Sequence, residues 1–73
     1  MGDELIELEE EVVLRREEAA ARLRHLADQL SRHNQVEFEK EGLRYTVDVP
    51  DQVTLSLEIE VGDEPEIEIE IRW

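Results

Sequence analysis

An α+β fold is what this sequence predicts: a mainly antiparallel, twisted sheet of about five strands with one amphipathic helix packed on one face, in the order β-α-β-β-β-β. Three observations predict it. Glu66, Ile67, Glu68, Ile69, Glu70, Ile71, Arg72 and Trp73 alternate polar and apolar without a break, the period of a strand with one buried and one solvated face. Between about Arg15 and Arg32 the period changes to that of a helix. The remaining apolar runs are separated by short turn segments, which join antiparallel neighbours.

Taken in order, Glu4 to Glu11 alternate briefly, with Ile6 and Leu8 apolar and Glu7 and Glu9 polar, so a short first strand is predicted although Leu5 breaks its pattern. Its alternation leaves open a place parallel beside the second strand or antiparallel beside the fifth. Ala20, Leu23, Ala27 and Leu30, flanked by Ala19 and Leu26, then recur at helical spacing. Glu17 and Glu18 in the first turns and Arg32 and His33 at the end complement the helix dipole, and Asn34 is a suitable stop. Beyond it lie Val36 and Phe38, then Tyr45, Val47 and Val49, then Val53, Leu55, Leu57, Ile59 and Val61, and lastly the Ile-Glu repeat. Lys40-Glu41-Gly42, Pro50-Asp51 and Gly62-Asp63-Glu64-Pro65 separate them as turns. A meander of strands two to five is expected, the helix lying over the face that carries the isoleucines, valines, Phe38, Tyr45 and Trp73.

Length and composition bound the rest. Residues 1–73 are read as a single domain, close to the lower size at which a core folds without staples. Cysteine is absent, which removes disulfides and thiolate chemistry and suits a reducing cytoplasm. Asp3, Glu4, Glu7 and Glu9 stand where a signal peptide would need a basic region and an apolar run, and no stretch has the length to span a bilayer. Position 6 is Ile where myristoylation would want Ser or Thr. Twenty-one acidic against eight basic residues give a formal charge of -13, which repels nucleic-acid phosphates and anionic headgroups alike. Neither nucleic acid nor membrane is therefore expected as a partner.

The residues also carry a resemblance. The helix Arg-Glu-Glu-Ala-Ala-Ala-Arg-Leu-Arg-His-Leu-Ala-Asp-Gln-Leu (16–30), the stretch Tyr-Thr-Val-Asp-Val-Pro-Asp-Gln-Val (45–53), the acidic alternating strand after it and the closing Ile-Glu-Ile-Arg-Trp resemble the amphi-Trp domain family. The likeness covers nearly the whole chain, and its most specific parts are the Val-Pro turn and Trp73. It implies a small, soluble prokaryotic domain, archaeal or bacterial, and brings no catalytic residues with it. His25 and His33 match no motif of that family.

Candidate chemistry is sparse. Trp73, in phase with Ile67, Ile69 and Ile71, is expected to plug the end of the core, with an exposed partner anchor as the sharper reading. Glu37, Glu39, Asp48, Glu58, Glu60, Glu66, Glu68 and Glu70 are expected on the sheet face turned away from the helix, with Arg44 and Arg72 as basic company. Such a face is either a solvated surface that suppresses edge pairing or a docking surface for a basic segment. Asp63, Glu64 and Glu66 around Gly62 lack the spacing of an EF-hand loop and read as a solvated turn. His25 and His33, eight positions apart on a helix, stand about 12 Å apart along its axis and cannot share a metal. Ser31, Thr46, Thr54 and Ser56 sit in no nucleophile elbow or triad context, and the three glycines, isolated at 2, 42 and 62, form no phosphate loop.

The expectation is therefore a non-enzymatic, cytoplasmic protein interaction or assembly module with no cofactor, catalytic residue or metal ligand. Its expected partner is a basic protein or a second copy of itself, and its interaction surface comprises Glu58, Glu60, Glu66, Glu68, Glu70, Arg72 and Trp73. The alternative is a protein that binds a cation or small ligand through its carboxylates.

Overall fold

The computed structural model describes residues 7–73. Its elements are α1 (Arg16–Arg32), β1 (Gln35–Lys40), β2 (Leu43–Asp48), β3 (Thr54–Glu60) and β4 (Glu66–Arg72). The fold is α+β in the order α-β-β-β-β, but the five-strand sheet is corrected: β1 pairs with β2, β3 pairs with β4, and the two hairpins are separate two-stranded sheets. Of the expected first strand, residues 4–6 lie outside the described residues, and Glu7 to Glu11 form no strand.

The helix begins where its periodicity begins. Glu18 accepts the backbone N–H of the N-cap residue Arg15 at 3.4 Å, half of a capping box. The other half is missing chemically, because a guanidinium has no acceptor to offer the first-turn N–H groups. At the far end the N–H of His33 closes the last turn on the Gln29 carbonyl at 3.0 Å, and the backbone turns extended.

The first hairpin is joined by two residues, Glu41 at φ 53° and Gly42 at φ 78°. Two successive positive φ values are the signature of a type I′ turn, whose twist matches that of the strands it joins. The register sets Phe38 opposite Tyr45 and Val36 opposite Val47. The two rings stack, centroids 5.3 Å apart and planes 22° from parallel. Helix α1 lies against β1, and what core there is gathers there: Leu14, Ala20, Leu30, Val36, Phe38, Tyr45 and Val47 are half-buried.

The break between the hairpins has a local cause. Val49 still donates its N–H to the Asn34 carbonyl at 2.7 Å, one step beyond β2. Pro50 follows with no N–H to give, and its ring holds Val49 extended, so the chain runs on instead of folding back. As a result β3 and β4 touch neither α1 nor the first hairpin, and no residue among those described is fully buried. The radius of gyration, 14.5 Å, exceeds the roughly 11 Å of a compact domain this long.

Candidate functional site: a two-faced hairpin

The register of β3 against β4 pairs like with like. Leu55 stands opposite Ile71, Leu57 opposite Ile69 and Ile59 opposite Ile67, while Glu58 stands opposite Glu68, Glu60 opposite Glu66, Ser56 opposite Glu70 and Thr54 opposite Arg72. Residues directly opposite in a ladder share a face, so one side of the hairpin is aliphatic and the other carboxylate-rich. Two same-sign pairs face each other across the strands with only water to screen them. Arg72, the single basic residue of the two strands, pairs with Glu70 at 2.5 Å.

The expected surface residues Glu58, Glu60, Glu66, Glu68, Glu70 and Arg72 are thus brought together on one face. Trp73 directly follows Arg72, and the strand alternation gives it to the aliphatic side. It does not plug a core: it is 60% exposed. The same holds for its neighbours, since Leu55, Leu57, Ile59, Ile67 and Ile69 keep between 48% and 68% of their surface. The expected continuous acidic face is also divided. Glu37, Glu39 and Asp48 belong to the first hairpin, opposite Thr46, Arg44 and Gln35, with the Gln35 amide donating to Asp48 at 3.1 Å.

Three other places offer clefts to a ligand. The connection between β3 and β4 forms an open acidic cleft lined by Glu60, Asp63, Glu64 and Glu66. His25, Asp28, Arg32, His33 and Glu37 line a shallow polar cleft of about 510 Å³ at the end of α1. Among the described residues no three His, Asp or Glu side chains converge as metal ligands would. The third place is an open groove of about 760 Å³ between α1 and the first hairpin, with Leu8, Leu26, Val36, Phe38, Tyr45 and Val47 in its walls. Arg22 and Glu10 pair at 2.5 Å beside it. Sequence reasoning missed this groove because Phe38, Tyr45 and Leu26 read as core; their partial exposure follows from the second hairpin's standing apart.

No helix among the described residues is long and apolar enough to cross a membrane. The family model of the Amphi-Trp domain matches residues 1–73, the full sequence. No curated protein and no solved structure matches it.

Proposed function

The chain belongs to the Amphi-Trp domain family, and from that premise we propose that it is a non-catalytic interaction or assembly module of the cytoplasm. The observation that carries this reading is the sorting of β3 and β4 into an aliphatic face and a carboxylate face, neither of them covered by another element among the described residues. An enzyme needs a nucleophile or acid–base pair held in a cleft that excludes water. An uncovered two-faced hairpin instead offers one surface for burial and one for charge complementarity.

The carboxylate face suits a basic segment. Glu58, Glu60, Glu66, Glu68 and Glu70 present five like charges within a few strand spacings, with only Arg72 to offset them. Charges at that density steer a cationic partner and are weakened by salt. The runner-up is binding of a cation or small ligand by the same carboxylates.

Affinity isolation of the tagged protein from its own cell extract at low and high salt, with recovered proteins read by mass spectrometry, tests the proposal. A basic protein retained at low salt, released at high salt and lost with Glu58→Lys/Glu68→Lys is the result expected of docking through this face. Failure to recover any specific protein, combined with absence of self-association, overturns the module reading. A stoichiometric calorimetric response to calcium or magnesium, abolished by the same double substitution, would install the runner-up.

A further inference from the structure

Resting on the module reading, we propose that the partner of the aliphatic face is a second copy of this chain: the β3–β4 hairpins of two copies stack face to face, Leu55, Leu57, Ile59, Ile67, Ile69 and Trp73 of one against the same residues of the other. Three observations lead there. First, a two-stranded hairpin standing alone in water is marginal at best and needs its apolar side covered. Among the described residues no other element covers it, since β3 and β4 contact neither α1 nor the first hairpin.

The second observation is area. The accessible surface of the chain is 7299 Å², whereas a compact monomer of 8.6 kDa exposes about 4,700 Å². The excess is of the size that permanent interfaces remove. On the aliphatic face alone, six large residues with half to two-thirds of their surface exposed supply on the order of 700–800 Å², close to one partner's share of a standard interface.

Third, the charges permit it. All the carboxylates of β3 and β4 lie on the opposite face, so stacking two aliphatic faces buries no charge. Packed sheets stand about 10 Å apart, and the two carboxylate faces then point outward, separated by more than the ~8 Å Debye length of physiological salt. The formal charge of -13 per chain slows the encounter of two copies and weakens their contact at low salt, a repulsion that screening relieves. A cationic protein gains nothing from a face without acids, and an anionic membrane repels the chain as a whole. A twofold arrangement is also the simplest for a surface complementary to itself, and it closes at two copies.

Sedimentation equilibrium of the purified full chain, at low and high sodium sulfate, decides the matter. The expected result is a species of twice the 8.6 kDa chain mass that tightens with sulfate, because an excluded salt strengthens apolar burial and screens the residual repulsion. Ile69→Glu, at the middle of the face, is expected to weaken it at least 100-fold. Glu68→Lys, the adjacent residue on the other face, is expected to leave the dimer intact. Circular dichroism of each variant reports whether the helix and strands persist. A wild-type chain that stays monomeric at all concentrations overturns the proposal, as does a dimer whose affinity Ile69→Glu leaves unchanged while the spectrum is native. In either case retention of a basic protein by Glu58 and Glu68 would leave the module reading standing.

Discussion

Glu41 is the one non-glycine residue with positive φ among those described, and its position is dictated by the turn: both central residues of a type I′ hairpin must be left-handed. Glutamate occupies that region at a cost of about 1–2 kcal/mol, which Asn, able to bond its own backbone, largely avoids. Glu41→Asn is therefore expected to stabilise the protein by about 0.5–1 kcal/mol, read as a rise in the urea midpoint at unchanged slope. Gly42, at φ 78°, gives the opposite expectation. A Cβ built there meets no atom within 4 Å, so any loss in Gly42→Ala comes from the backbone conformation alone, about 1 kcal/mol. A midpoint that did not fall in Gly42→Ala would mean the turn is of another type. Trp73 poses a different question at the same scale. It is 60% exposed in one chain, so on the proposed dimer it is an anchor of the contact, and truncation of such an anchor costs about 2 kcal/mol or more of binding. Trp73→Ala should accordingly weaken association by about 30-fold or more, read by sedimentation equilibrium at concentrations where the helical signal is still native.

At the scale of elements, α1 starts on an unsuitable residue. Arg15 places a cation at the positive end of the helix and offers its first-turn N–H groups no acceptor. Arg15→Asp reverses the charge and supplies the carboxylate oxygen, for an expected gain of about 1 kcal/mol and a higher thermal midpoint of the 222 nm signal. No gain would mean that the helix end is set by Glu10 and Arg22, whose ion pair fastens the preceding segment to the helix, and not by its cap. The helix itself was legible: the expected span from about Arg15 to Arg32 differs from Arg16–Arg32 only at the cap, because a 3.6-residue period is a local property of the chain. Strand faces were legible for the same reason, and the pairings of Leu57 with Ile69 and Glu58 with Glu68 follow once the connection of residues 61–65 fixes the register. What could not be read was whether β2 continues into β3. Alternation says which face a residue takes and nothing about which edge pairs, and Pro50, read as one residue of a turn, in fact ends the ladder that Val49 extends. The carboxylate surface was found in part for that reason: the members on β3 and β4 sit together, while Glu37, Glu39 and Asp48 went with the other hairpin.

For the molecule as a whole, the proposed dimer makes folding and assembly one equilibrium. A chain of 73 residues in which no described residue is fully buried gains little from internal packing to set against its conformational entropy, because apolar area removed from water is the main favourable term. On the proposed dimer, the missing burial lies on the aliphatic face of β3 and β4 and is realised when a second copy covers it. Stability must then depend on concentration, as it does for any state stabilised by a bound partner. Raising the chain from below its dissociation constant to about 100 times above it adds about 2.7 kcal/mol by mass action. In a domain of this size each kcal/mol moves the melting temperature by about 4–8 °C, so calorimetric midpoints should climb by roughly 10–20 °C over that range. The salt response separates this from docking of a basic protein on the carboxylate face. Screening relieves the repulsion between two chains of charge -13 and raises the midpoint of a self-associated protein, whereas it loosens a cationic partner held by charge. Sulfate should outperform chloride at equal ionic strength, since exclusion from apolar surface adds to screening. A midpoint independent of concentration would overturn self-association as a source of this chain's stability.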